Sequence, residues 1–336
     1  MSLREQVGQL LMVGINSAGP TNADAAVIEA TRAGSILLLG NSTAGLTAVH
    51  RVTVRVREVA RRPEQVGTLV AVDQEGGLVQ RLKGTGFSTM PSAVSQGKLA
   101  NSTLAADAKS WGRQLRTAGI DVNLAPVADV VPASMININQ PIGELRRYYS
   151  TSPSVVAAKV RAFVAGMSSA GVATSVKHFP GLGRVRGNTD FQANVVDSTT
   201  VRHDAALAVF VAGTKAGVDM VMVSSATYSK IDSKHRAAFS SVVIRTMIRR
   251  DLGFTGVVIS DDLAARAMQD LTPGTRVIRF IEAGGDLAII GDPTIAQRAA
   301  DSVLAEAEHD PAFARLVTAS ATRVVQLKHH RGLAAC

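Results

Sequence analysis

A single cysteine, Cys336, stands at the last position of the 336-residue chain. It can close no internal disulfide, and a zinc site built from cysteines is excluded. The seven histidines show no HExxH-type spacing, so no metal and no cofactor is expected. Aromatic residues make up only 4% of the chain, and no dense Lys/Arg run is interleaved with them. Base-stacking platforms are therefore poor, and nucleic acid is not an expected partner. A net charge of +9 and an isoelectric point near 10.1 admit an anionic partner, but the basic residues are scattered as a basic surface would have them. No apolar run reaches the roughly 18 residues of a membrane span. The start, "MSLREQVGQL", lacks a basic segment followed by an apolar one. The expectation is a soluble chain with no export signal as written. A trimmed leader would leave the same text, so the compartment stays open: cytoplasmic as it stands, extracytoplasmic if a leader has been removed. No Pro/Ser-rich linker, charge run or short repeat divides the chain, which favours one domain over residues 1–336.

With 46% hydrophobic residues, the chain can bury one large core. Eight short apolar runs bounded by turn residues recur along it: "QLLMVGI", "GSILLLG", "GTLVAVD", "VNLAPVAD", "ATSVKHF", "VDMVMVSS", "GVVISDD" and "DLAIIGD". Helical patterns such as "TAVHRVTVRVREVARR", "SVVAAKVRAFVAGMSSAG" and "RHDAALAVFVAGTKAG" separate most of them, and several end in glycine as a helix C-cap does. Strands apolar throughout, alternating with helices, imply a parallel sheet covered on both faces. Eight such units match an α/β protein with a (β/α)8 TIM barrel, and a doubly wound open sheet with two lobes is the runner-up.

A barrel carries its active site at the C-terminal ends of its strands. Those ends here are Asp73, Asp129, Lys177-His178, Ser224-Ser225 and Ser260-Asp261-Asp262. Buried charge is costly unless paired or used, so this concentration argues for a functional site. Each residue also has a plainer reading. Asp261 or Asp262 could cap the helix beginning "LAARAM", Asp73 and Glu75 could bind loop amides, and His178 could be a satisfied core histidine.

The segments "VAVDQEGGLVQRL", "NLAPVADV", "SVKHFPGLG" and "LGFTGVVISDDL", in this order and spacing, resemble glycoside hydrolase family 3 in its single-domain β-N-acetylglucosaminidase branch. The resemblance runs from about Leu10 to about Asp292. It implies a (β/α)8 barrel and a retaining exo-β-glycosidase, a β-N-acetylhexosaminidase that releases N-acetylglucosamine from cell-wall fragments or a related β-linked sugar. By position in "ISDDL" the nucleophile is Asp261. Sugar hydroxyls are held by Asp73, Arg81, Lys177 and His178. The resemblance also implies an arginine after the "IG" pair of "QPIGELRRYYS", here Arg147, with Arg146 as the alternative. The implied partner is a small-molecule or oligosaccharide substrate, and a monomer is expected.

The likeness breaks in the loop "KHFPGLGRVRGNTDF". The family reads His-Gly, four residues, then Asp-Ser-His, and the histidine of that Asp-x-His pair serves as general acid/base. This chain has Leu182 for the first histidine and Asn188, Thr189 and Asp190 for Asp-Ser-His. His203 is the only other histidine close by in sequence, and its segment reads as helix. Three readings follow. Asp190 is the acid/base, with a pKa raised from the usual 3.9 or so and with Asn188 orienting it. Alternatively, the loop serves a substrate whose leaving group needs little acid help. In the third, the chain is a pseudo-hydrolase that binds glycans. A glycoside phosphorylase is a further variant. Gly181, Gly183 and Gly187 suggest a flexible lid.

Overall fold

The computed structural model describes residues 1–61 and 66–334, so Cys336 and the Arg62 that ends one expected helix lie outside the described residues. Each of the eight apolar runs forms a strand: β1 (Leu11–Asn16), β2 (Ser35–Leu39), β3 (Leu69–Val72), β4 (Val122–Asn123), β5 (Ala173–Phe179), β6 (Met220–Val223), β7 (Val257–Ser260) and β8 (Ala288–Ile290). β4 is short, yet its backbone stays paired beyond Asn123: Leu124 N–H bonds the Val72 carbonyl at 2.9 Å, the Ala125 carbonyl accepts the Ser175 N–H at 3.0 Å, and Val127 bridges Lys177.

The strands are parallel neighbours in sequence order, from Met12 opposite Ser35 through Val72 opposite Asn123 to Ile259 opposite Met222. β8 then pairs with β1, Val13 lying opposite Ile290. The ring closes where Ile259 bridges Leu287 and Ser260 donates its N–H to the Leu287 carbonyl at 3.0 Å. The doubly wound runner-up is thereby corrected: an open sheet leaves two edges, and here β7 and β8 meet. Alternation along each strand divides the core in two. Met12, Leu37, Leu69, Val122, Met220 and Leu287 fill the barrel interior. Their chain neighbours Leu11, Val13, Ile36, Leu38 and Val70 pack outward beneath the helices.

The helices that cover the barrel include Leu46–Val59, Asn101–Thr117, Pro153–Ser169 and Pro273–Ala283. The last is capped by Thr272, whose side chain accepts from the Thr275 N–H, and ends at Gly284 in the left-handed region at φ 106°. No helix among the described residues is long and apolar enough to cross a membrane.

The N-terminal face of the barrel is tied by a repeated device. Asp121 and Asp219 immediately precede β4 and β6, and Asp286 stands two residues before β8. Their carboxylates accept the backbone N–H groups of Val70, Thr174 and Val258 on the preceding strands, at 2.9, 2.9 and 2.8 Å. Arginines neutralise each: Arg57 and Arg116 on Asp121, Arg331 on Asp219, Arg249 and Arg323 on Asp286. Before β2 the chain has Gly34 instead of an acid. There the buried Lys328 donates to Gln9 Oε1 at 2.5 Å and to the Gly34 carbonyl at 2.6 Å.

Candidate active site

The opposite, C-terminal face opens into a cavity of about 440 Å³. The four aspartates Asp73, Asp190, Asp261 and Asp262, the arginines Arg81 and Arg147, and the Lys177-His178 pair all line it. Asp73 follows β3, Lys177 and His178 lie on β5, and Asp261 follows β7, so strand ends deliver them to one place. β5 breaks register between Val176 and Phe179, and the peptide joining Lys177 to His178 is cis. Both of these consecutive side chains reach the cavity. Of the two arginine candidates, Arg147 lines the cavity, whereas Arg146 is exposed and has φ 55°.

An ion-pair chain fixes the floor. Lys177 Nζ lies 2.5 Å from Asp73 Oδ1 and 2.7 Å from Glu75 Oε1. Arg147 grips Glu75 with two bonds, Nε to Oε2 and Nη2 to Oε1, both at 2.8 Å. Glu75 is thus no loop cap, as its sequence context had suggested, but the hub of the floor. Burial alone would push its carboxyl up, yet the Arg147 guanidinium and the Lys177 ammonium hold it well below the usual carboxylate range. Burial likewise opposes charge on Lys177, and Asp73 and Glu75 outweigh it, raising the ammonium's pKa. The bidentate fork makes the Arg147 geometry rigid. Arg81 is held less firmly, reaching Asn41 Oδ1 at 3.5 Å.

His178 is not merely a packed core residue. Its Nδ1 lies 2.7 Å from Asp129 Oδ2, and Asp129 Oδ1 accepts the Leu182 N–H at 2.7 Å. A carboxylate opposite Nδ1 selects the tautomer with its proton there, which leaves Nε2 3.5 Å from Arg147 Nη2. Asp129 was visible in the sequence as a polar strand end, but nothing local marked it as the partner of a histidine 49 residues away.

The profile of the glycosyl hydrolase family 3 N-terminal domain matches residues 2–327. The chain belongs to glycosyl hydrolase family 3. A β-hexosaminidase of Stenotrophomonas maltophilia is 31% identical over 305 residues, covering 88% of this chain and 87% of that protein. Among solved structures, the β-N-acetylhexosaminidase of Beutenbergia cavernae superposes with a TM-score of 0.96 at 44% identity, covering 98% of this chain and 99% of that one. A family 3 β-N-acetylglucosaminidase from a Paenibacillus species aligns over all of this chain and 64% of its own, with a TM-score of 0.89 and 28% identity.

Within this family 3 barrel the two acids after β7 divide their tasks. The helix expected at "LAARAM" does not form, the chain making turns and a three-residue 3-10 segment, Arg266–Met268, with no side-chain cap; Asp262 Oδ1 instead accepts the N–H groups of Ala264 and Gly291, both at 2.8 Å. Burial pushes its carboxyl up to about 6, and the charges of Asp261 and Asp190 add to that shift. Both acids line the cavity, and Asp261 is oriented by the Asp262 N–H, which donates to its Oδ1 at 2.9 Å.

The loop after β5 corrects two expectations. Gly183 serves a close approach of backbone rather than flexibility. A Cβ on Gly183 would lie 1.9 Å from the Val130 carbonyl oxygen, so the loop is pressed against backbone there. Asn139 Nδ2 donates to the Leu182 and Val185 carbonyls at 2.7 and 2.6 Å, and the Tyr228 hydroxyl donates to the Gly181 carbonyl at 2.9 Å. Nor does Asn188 orient the Asp190 carboxyl; its Oδ1 accepts the Asp190 backbone N–H at 2.9 Å, forming a turn. Arg266 N–H in turn bonds the Asp190 carbonyl at 3.2 Å. Among the described residues no side chain hydrogen-bonds the Asp190 carboxylate. It stands at the rim, where solvent reaches it but protein crowds its inner side. Burial raises its pKa, and the Asp261 charge raises it further against the opposing Arg147 and His178. His203 lies in a turn before the helix Ala208–Lys215, not within a helix, and outside the cavity lining.

Proposed function

We propose that this family 3 glycosidase is a retaining, exo-acting β-N-acetylhexosaminidase that works as a one-chain, one-domain catalyst on β-linked N-acetylglucosamine. The observation that carries the mechanism is the pair Asp190 and Asp261, two carboxyl groups facing one cavity in unlike surroundings. Asp261, oriented at a strand end, attacks the anomeric carbon. The bond from that carbon to the leaving oxygen breaks as Asp190, its proton held by burial and by its acidic neighbour, protonates the oxygen. A water molecule then gives a proton back to Asp190 and its oxygen attacks the same carbon, freeing Asp261 and retaining configuration. Asp73, Arg81, Arg147, Lys177 and His178 bind the sugar hydroxyls, Asp73 accepting and the cations donating. A sugar lacking the matching hydroxyl leaves a buried partner unpaired, a strong basis for selectivity. The single chain supplies every residue invoked, which supports monomeric action.

Hydrolysis of aryl β-N-acetylglucosaminides tests the reading. Asp261→Ala is expected to lose activity on every substrate by roughly a thousandfold or more, and Asp190→Ala to lose far more on poor leaving groups than on 4-nitrophenol. Added azide should restore turnover in both variants by filling the missing carboxylate's place. Equal losses across leaving groups in Asp190→Ala would remove Asp190 from the acid role, and an inert wild type would remove the hydrolase reading altogether.

A further inference from the structure

The cavity changes character from floor to mouth. Charged side chains surround the cavity above the barrel-interior residues Leu37, Leu124, Met222 and Ile289, and the exposed, apolar Leu78 and Phe191 also line it. These two are among the most exposed large hydrophobic side chains described, Leu78 at 67% and Phe191 at 77%. One exposed apolar residue is ordinary; two at the mouth of a single catalytic cavity are not scattered surface.

Both sit on held backbone. Leu78 occupies the turn between the paired segments Gln74–Gly76 and Val79–Gln80, and Gly77 N–H bonds the Met90 carbonyl at 3.0 Å. Phe191 N–H bonds the Asn188 carbonyl at 3.1 Å, within the turn that also places Asp190. Phe191 is the chain neighbour of the proposed acid. Whatever group departs with the proton from Asp190 therefore leaves beside the Phe191 ring.

We infer that Leu78 and Phe191 form the leaving-group subsite, and that it takes an uncharged hexopyranose ring lying with its C–H face on these side chains. The inference rests on the hydrolase reading and extends it to the second sugar. A pyranose ring in a β-linkage offers an apolar face suited to an aromatic ring and an aliphatic neighbour. Among the described residues lining the cavity, Arg147 and Lys177 are tied to Glu75 and Asp73, and Arg81 reaches toward Asn41. Arg81, which lines the cavity with no ion pair among the described residues, is assigned above to the hydroxyls of the first sugar, so no further arginine or lysine lines the cavity for an anionic second ring, and the chain neighbour of Phe191 is the carboxyl of Asp190.

The test compares kcat/KM for three β-N-acetylglucosaminides: the fluoride, whose leaving group is one atom, the β-1,4-linked disaccharide of N-acetylglucosamine, and the disaccharide whose second ring carries a carboxylate. The disaccharide-to-fluoride ratio should fall about tenfold in Phe191→Ala and less in Leu78→Ala, with Phe191→Tyr restoring it. The uncharged second ring should be preferred to the carboxylated one. A variant that merely disturbs the loop lowers both substrates together, and an unchanged ratio overturns the subsite. Preference for the carboxylated ring overturns the uncharged assignment. Loss confined to 4-nitrophenyl glycosides, with the disaccharide spared, would make the occupant an aryl group and overturn the pyranose assignment. Calorimetry on Asp261→Asn protein decides the same question without turnover. Disaccharide should bind more tightly than the monosaccharide, and Phe191→Ala should abolish the difference. A wild type that hydrolyses nothing would sink the hydrolase reading, and the calorimetric difference would still support or reject the subsite.

Discussion

Asp190 illustrates how one side chain draws its chemistry from its surroundings. Burial and the Asp261 charge raise its pKa, so it keeps its proton above the ordinary aspartate value of about 3.9. A general acid must be protonated, hence kcat/KM should fall as pH rises through that elevated value. Asp190→Ala should abolish this alkaline limb. A limb that persists in Asp190→Ala and shifts instead in His178→Asn would assign the proton to the imidazole. Glu75 shows the opposite environment. Its folded pKa is depressed by Arg147 and Lys177 against the burial that opposes them. Its contribution to stability is therefore complete above the unfolded value of about 4.3 and is lost as pH falls below it. Glu75→Gln should cost about 3–5 kcal/mol in urea unfolding at pH 7, because it leaves the Arg147 guanidinium without its carboxylate and Lys177 with Asp73 alone, and the gap to wild type should narrow in acid. Lys177 and His178 were legible as site residues because a cation and an imidazole closing an apolar strand are locally anomalous. The role of Glu75 was not, since the arginine it binds lies 72 residues away.

At the level of the element, the loop after β5 was legible in composition and illegible in mechanics. Three glycines in a short span suggested mobility, but Gly183 is there because the Val130 backbone occupies the space of a side chain. Gly183→Ala should lower stability by about 1–3 kcal/mol and reduce activity, since the loop can relieve the clash only by moving the segment that ends in Asp190. At Gly187 a Cβ would meet side chains rather than backbone, the Gln192 amide oxygen at 2.1 Å, which can rotate away, and Val195 Cγ2 at 3.3 Å. Gly187→Ala should therefore be much milder in thermal unfolding and in kcat/KM. Equal damage at both positions would show that loop mobility, not backbone contact, is what the glycines provide.

The whole barrel is closed on its N-terminal face by acids bonded across neighbouring strands, and Lys328 of the last helix occupies the place before β2 where no acid stands. Burial lowers its pKa to about 7, with Asp121 opposing. Between that value and the unfolded one of about 10.4, the unfolded chain binds more protons than the folded one, so this group makes stability rise with pH over that window. Lys328→Met should remove that rise in denaturation curves taken between pH 7 and pH 10. A slope that survives the substitution would place the titration elsewhere. Nothing in the local sequence announces this lysine, because its partners Gln9 and Gly34 lie 319 and 294 residues away.

The amino-acid sequence by itself determined the number and order of the strands, the barrel they form and the polar ends that mark its active face. Apolar periodicity and turn residues act over a few positions, and that information is local. Tertiary structure alone decided that Asp262 is held by the Ala264 and Gly291 N–H groups with no helix for it to cap, why Arg147 and not Arg146 enters the site, and that Glu75 and Asp129 hold its cations and its histidine. Those outcomes depend on which groups meet after the ring closes, on burial that penalises an unpaired charge, and on neighbours brought together from distant parts of the chain.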